Sequence, residues 1–443
     1  MRRVVKVSRI RIIITIIVVV LTTLLTGCTG KEPNEIAYVV ALGIDSTDDG
    51  NYKITIQYAN TTQISGGASE SGGKAGSEIV DNVTIEAPNI YAGVGLANNI
   101  VSKSFSMSHA KLIVFSKEIA EKGVKDMIET LVRSEEIRPD VFIAVANTTA
   151  NDYLTSVNPE MEVNPAQYYQ LIYQKNQLVG IPDGQLREFF TGLYTDNYDS
   201  ILPVAGVIDG SGGNSQNDDK GQSKDGQNEG SEGSSESLDS FESKSSNEKD
   251  ENEKEKDAEK NTSKYEYDIK NYIGGETTIE KKNKAEAIGA AVFEKDKMVG
   301  ELGEVETEIC KMLKGDYTYS YLTYYNNDTP DIPITVKTTQ QKKPKYKIDT
   351  DKKTVDIELY IESDLYSLPA DYNVENKIED FERDVANYTS SACTEFINNF
   401  TKKYNSDILK LNEKVKYKFL TNNQYNWFKK NVGWSEYKFS VCT

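Results

Sequence analysis

Fifty consecutive residues in the middle of this 443-residue chain, Ser211 to Lys260, contain only two large apolar side chains, Leu238 and Phe241. Such a stretch cannot bury enough apolar surface to offset the entropy of ordering it, so the fold has to be built from the blocks on either side. The stretch carries fifteen Asp/Glu and seven Lys, and so supplies −8 of the net −18. We place the flexible insert at 211–264. A second loop is expected from Ser65 to Ser77, where Gly and Ser dominate.

The N-terminus sets the destination of the chain. Arg2, Arg3, Lys6, Arg9 and Arg11 precede an Ile/Val/Leu-rich run from Ile12 to Leu25, the pattern of a secretory signal. A membrane-spanning helix needs roughly twenty apolar residues, so this shorter run reads as a cleaved segment and not as a retained anchor. It ends in Leu25-Thr26-Gly27-Cys28, a lipobox, in which the cysteine thiol receives a diacylglyceryl group before cleavage makes it the mature N-terminus. Each buried acyl methylene contributes about 0.8 kcal/mol, and two or more chains hold a protein on its membrane. A plain secretory signal that happens to contain a cysteine is the bland alternative. Cys310, Cys393 and Cys442 are odd in number and far apart, which makes neither a disulfide framework nor a CxxC metal site. The charge of −18 argues against nucleic acid and against a basic contact with anionic lipid, leaving the acyl chains as the anchor.

Strand and helix patterns alternate elsewhere. Ala37 to Ile44 is a continuous apolar run, Asp48-Asp49-Gly50 a turn, and Ile54, Ile56 and Tyr58 alternate with polar residues, which predicts a hairpin. A helix is expected over Asn89 to Ser102, a strand over Lys111 to Phe115, a helix over Lys117 to Arg133 and a strand over Val141 to Ala146. Further on, strands are expected at Ile201 to Ile208, Ile288 to Phe293 and Met298 to Leu302, then a helix from Val305 to Leu313 closed by Gly315. The last third predicts strands at Ile334 to Thr338, Lys345 to Ile348 and Thr354 to Glu362. A long helix should lie across them, marked by Val374, Ile378, Phe381, Val385, Tyr388, Ala392, Phe396 and Phe400 at spacings of three and four. A short helix at Asn426 to Asn431 and a strand at Tyr437 to Val441 close the chain. The expected fold class is α+β: after a signal peptide at 1–27, three mixed α/β domains with small sheets packed by helices, at 28–200, 201–325 and 326–443.

Several stretches together resemble the C-subunit lipoproteins of spore germinant receptors, the Ger(x)C family. They are the lipobox, Asn34 to Ala37 leading into Val40-Ala41-Leu42-Gly43-Ile44-Asp45, Ser108-His109-Ala110-Lys111-Leu112-Ile113, Gly289 to Phe293 with Lys295 to Gly300, and Lys403-Tyr404-Asn405-Ser406-Asp407-Ile408 with Trp434. Each is a strand edge or a turn, and the specificity lies in their number and order. The resemblance implies a three-domain protein on the inner membrane of an endospore, lipid-anchored on the outer face of the cytoplasmic membrane. It would work with multi-pass A-type and B-type membrane subunits to convert detection of small nutrients into germination. This chain departs from the pattern in having Thr29-Gly30 where Trp-Asp often follows the lipidated cysteine, in its two added polar segments, and in an end at Thr443 that cuts short the usual final strand.

Reactive chemistry is sparse. His109 is the sole histidine, at the entrance of an expected strand, where a structural role is the simpler one. There is no GxSxG, P-loop or HExxH. Ser246 to Lys249 and Ser435 to Lys438 fit SxxK by chance, and Gly93 to Asn98 lacks the third glycine of a dinucleotide loop, so it reads as the small face of a packed helix. No catalytic residue, metal ligand or cofactor is assigned; lipidation of Cys28 is the single site. Two rivals fit less well: a solute-binding lipoprotein of a transport system, which would need two large lobes around a cleft, and an envelope hydrolase, which would need a nucleophile or a histidine pair.

Overall fold

The computed structural model describes residues 13–19, 35–59, 80–158, 164–174, 180–195, 197–208, 271–277, 283–324, 333–368 and 378–443. The lipobox with Cys28, the Ser65–Ser77 stretch, the acidic insert and Val374 lie outside them. No helix among the described residues is long and apolar enough to cross a membrane.

The continuous apolar runs become the centre of a sheet. β1 (Ile36–Ser46), β5 (Leu112–Ser116), β6 (Phe142–Ala146) and β7 (Ile201–Val207) lie side by side in parallel. Central parallel strands are covered on both faces, which is why their sequences do not alternate in polarity. Ile113, Phe115, Ile143 and Val145 enter one core; Leu112, Val114, Phe142 and Ala144 enter the core on the opposite face. β1 switches parity along its length: Ala37 and Val39 share a face with Leu42 and Ile44, because a bulge between Val39 and Ala41 rotates the strand by one residue.

On one flank β1 continues antiparallel into β2 (Tyr52–Ala59) and β3 (Val80–Ala87), and beside it lies the three-residue β4 (Ser104–Ser106). On the other flank β7 pairs antiparallel with β8 (Ala285–Glu294), and β8 with β9 (Lys297–Leu302). The result is a nine-stranded sheet ordered β3-β2-β1-β5-β6-β7-β8-β9, with β4 on β1. Its helices are α1 (Ile90–Ile100), α2 (Lys117–Lys122), α3 (Lys125–Val132), α4 (Ala150–Ser156), α5 (Pro165–Gln174) and α6 (Leu186–Thr195). The helix expected over Lys117 to Arg133 is two helices. Gly123 sits at φ 122°, outside helical space, and the turn it makes lets the Val124 amide donate to the Asp296 carbonyl of the β8–β9 turn at 3.0 Å.

The second sheet has the order β10 (Tyr319–Tyr324), β11 (Ile334–Asp349), β12 (Thr354–Ser367) and β13 (Lys438–Cys442). The two strands expected at Ile334 to Thr338 and Lys345 to Ile348 are the ends of β11, whose register slips twice between Gln340 and Lys345, around the ring of Pro344. β13 runs parallel to β12. α7 (Glu304–Lys314), closed at Gly315, and α8 (Ile378–Lys403) pack together, and α9 (Leu411–Val415) and α10 (Asn422–Asn431) come after them. Two segments of α8 bury different cores. Phe381, Val385 and Tyr388 meet Tyr324, Ile334 and Val336, while Cys393, Phe396, Ile397 and Phe400 meet Val355, Ile357, Phe439 and Val441.

The architecture is α+β. The divisions drawn at 200/201 and 325/326 do not coincide with separate sheets, since β7, β8 and β9 complete the first sheet and β10 opens the second. The acidic insert falls between β7 and β8, which pair antiparallel with one another.

Candidate functional site

The stretches that carry the family resemblance converge at two places. The first surrounds β1. The Asp45 side chain, buried at the end of the strand, accepts from the Ala150 amide at 2.6 Å and the Asn151 amide at 3.0 Å, so that it caps the start of α4. Burial raises its pKa, against the pull of those two amides. The Lys111 amide donates to the Val40 carbonyl at 2.9 Å, and His109 stands exposed at the edge of the Tyr38 ring, centroids 4.9 Å apart. Gly93 and Ala97 are buried on one face of α1, against β2 in the case of Gly93, as the packed-helix reading of that glycine motif requires.

The second place joins the two sheets. After α8 the chain runs through Tyr404-Asn405-Ser406-Asp407 along the β8–β9 turn, where Lys295 adopts a left-handed conformation. The Asn405 side-chain amide donates to Glu294 at 2.9 Å and the Ser406 hydroxyl to the Phe293 carbonyl at 2.8 Å. Asp199, just before β7, grips both partners: one carboxylate oxygen accepts from the Lys295 amide and the other from the Asp407 amide, each at 2.8 Å. Its own amide donates to the Asp407 carbonyl at 3.1 Å.

Asp407 in turn organises the next helix. Its carboxylate accepts from the Leu411 and Asn412 amides, each at 2.8 Å, which starts α9. Burial pushes this carboxyl up to about 7, although the two amides favour its ionised form. The Asn412 side chain accepts from the Trp434 indole at 3.2 Å, and its carbonyl from Tyr425 at 3.2 Å. Tyr404 completes the joint by laying its ring on Gly300, where a Cβ would overlap the ring atoms. One core accordingly contains Ile201, Val292 and Leu302 of the first sheet together with Phe400, Tyr404 and Phe439 of the second unit.

This arrangement holds parts together. Both oxygens of Asp199 and of Asp407 are occupied by backbone amides. Burial pushes the Cys310 thiol up to about 11 and that of Cys393 up to about 12, so both are protonated near neutrality. Among the described residues no group of three or more His, Cys, Asp or Glu could hold a metal ion. Beside the joint, α7 and α8 enclose a cleft of about 330 Å³, lined by Met312, Cys393, Phe396 and Phe400 with Glu308 at its wall. Burial pushes the Glu308 carboxyl up to about 7, and the Ser320 hydroxyl donates to it at 2.9 Å.

The 403–408 stretch and Trp434 are visible in the sequence as a motif, and so is Gly300. Asp199 and Asn412 are not. Each is one polar residue among many, and only the fold brings them to the joint.

Two family models match the chain. Residues 30–207 match the one described as the spore germination protein N-terminal domain, and residues 288–441 the one described as spore germination B3/GerAC like, C-terminal. Spore germination protein KC of Bacillus subtilis (strain 168) is 26% identical over 174 residues, covering 36% of this chain and 42% of that protein. The putative spore germination protein YfkR of the same strain is 28% identical over 145 residues, 32% of this chain and 37% of that protein. Spore germination protein GerQC of Bacillus cereus is 24% identical over 196 residues, 43% and 50% of the two. The matched regions thus span half or less of these relatives. The crystal structure of the GerBC protein aligns over 90% of this chain and 94% of that one, with a TM-score of 0.47 and 14% identity.

Proposed function

Since the chain belongs to the GerAC-like family of spore germination proteins, we propose that it is the lipid-anchored, non-catalytic subunit of a spore germinant receptor. In this reading Cys28 carries the acyl chains on the outer face of the cytoplasmic membrane. The folded part docks on multi-pass A-type and B-type subunits and is required for nutrient detection to trigger germination.

The observation that carries the reading is the order of the two family regions, N-terminal at 30–207 and C-terminal at 288–441, which together take in three quarters of the chain. The chemistry of the joint is compatible with it. Asp199 and Asp407 spend their hydrogen-bonding capacity on backbone amides, an arrangement suited to fixing one unit against another and not to turning over a substrate.

The test is genetic. Spores of the native host that lack this chain should lose the response to at least one nutrient germinant and regain it when the gene is restored. An undiminished response to every nutrient that triggers the parent spores would overturn the assignment.

A further inference from the structure

The segment from Lys410 to Val432 inverts the electrostatics of the protein. It holds six lysines, Lys410, Lys414, Lys416, Lys418, Lys429 and Lys430, against the single acid Glu413, in a chain whose net charge is −18. Three large apolar or aromatic side chains project among them: Leu420 is 94% exposed, Tyr417 77% and Trp427 65%. They are not loose ends of a frayed tail. Phe419 and Tyr425 back them from inside, with ring centroids 5.9 Å apart, and Phe428 lies tilted against Phe419 at 4.9 Å and meets Trp434 edge-on at 5.8 Å. The N-cap Thr421 fixes the start of α10 by accepting from the Gln424 amide at 3.3 Å.

Exposing Leu420 and Trp427 on so firm a support costs solvation free energy that burying them would recover. Their neighbours say what kind of surface would bury them. Lys418 lines the same surface depression as Leu420 and Trp427, Lys416 and Lys430 are exposed within a few residues of them in the chain, and Asp349, at the turn between β11 and β12, senses Lys418. An aromatic indole, a leucine and a ring of lysines are the combination that seats at an interface of anionic headgroups and acyl chains. Whole-chain charge argues against such a contact, but the lysines are concentrated where the apolar side chains are, and at physiological salt a surface senses charge only within about 8 Å.

We propose that the face formed by Tyr417, Leu420 and Trp427 with Lys416, Lys418 and Lys430 is a second membrane contact, specific for anionic lipid. The proposal does not depend on how the N-terminus is held. It fixes which side of the folded part faces the bilayer.

The chain has two tryptophans, Trp427 and the buried Trp434, which makes the contact readable in the full-length protein. The full chain is reconstituted on vesicles of phosphatidylcholine with or without phosphatidylglycerol, carrying brominated acyl chains. Flotation first establishes that the protein is vesicle-bound in both. The proposal expects bromolipid quenching in the anionic vesicles alone, lost in Trp427→Phe. Each lysine near an anionic surface is worth about fivefold in occupancy, so Lys416→Glu with Lys418→Glu should reduce the quenched fraction at least tenfold. These side chains are exposed, so the variants should fold. Absence of quenching in both vesicle types would overturn the proposal. So would equal quenching in both, insensitive to the lysine reversals, or a Trp427 response that appears only when other receptor proteins are present. Failure of Cys28 lipidation would show in flotation and in mass; the contact is then read from the anionic vesicles alone, by whether flotation and Trp427 quenching there are lost with the lysine reversals.

Discussion

Replacing Glu308 by Gln should stabilise this protein at alkaline pH and leave it unchanged in acid. Glu308 lies on α7 at the wall of the apolar cleft, and burial raises its carboxyl from 4.5 to about 7, with Glu304 adding repulsion and the Ser320 hydroxyl partly offsetting both. At about 1.36 kcal/mol per pH unit, that displacement corresponds to about 3 kcal/mol. Residual solvent access reduces the figure, so we expect about 1–3 kcal/mol. The sign comes from proton counting. Between the unfolded and folded values the native state binds more protons, so this group's contribution to stability falls as pH rises through that window and is lowest above about pH 8. Glu308→Gln keeps an acceptor for Ser320 and never ionises. Urea unfolding followed by Trp434, which shares a core with Cys310 and Met312 of α7, gives the comparison. The variant should be more stable by about 1–3 kcal/mol near pH 8, with the difference vanishing toward about pH 4.5. An advantage of equal size at both pH values, or none near pH 8, would refute the reasoning.

The joint and the insert carry three further expected outcomes. Asp199→Ala leaves the Lys295 and Asp407 amides without their acceptor and should cost about 2–4 kcal/mol, with faster hydrogen exchange at both amides; a loss below about 0.5 kcal/mol would mean the joint does not depend on it. Gly300→Ala drives a methyl into the Tyr404 ring and should cost about 1–3 kcal/mol, and much less in a Tyr404→Leu background, a coupling that a double-mutant cycle measures. Deleting 211–264 shortens a connection between adjacent antiparallel strands, so thermal stability should stay the same or rise slightly, by about 0.6 kcal/mol per halving of loop length; a large loss would show that the segment belongs to the fold.

What the sequence made legible was whatever depends on periodicity. The alternation of Val355, Ile357 and Leu359 on β12, the three-and-four spacing of Phe381, Val385, Tyr388, Phe396 and Phe400 on α8, and the unbroken apolar run of β1 each lead to a single arrangement, and each is buried as expected. The rest turns on partners distant in the chain. β3 reads Val80-Asp81-Asn82-Val83 without a distinctive signal, and is a strand because β2 offers it an edge. Gly123 breaks a helix because Asp296 waits for the Val124 amide. The residues 403–408 announced themselves as a motif, but their role required Asp199, more than two hundred residues earlier. Net charge concealed the lysine-rich face after Lys410, since −8 of the −18 belongs to the insert.

The central claim is that Cys28 ties this germination protein to its membrane. The direct measurement is intact mass and detergent partitioning of the protein made in a sporulating host, wild type beside Cys28→Ala. The account predicts a wild type that begins at Cys28, carries acyl mass there and partitions with membrane, and a variant that keeps its signal sequence or is released. Identical behaviour of the two, with no acyl mass on the wild type, would contradict it.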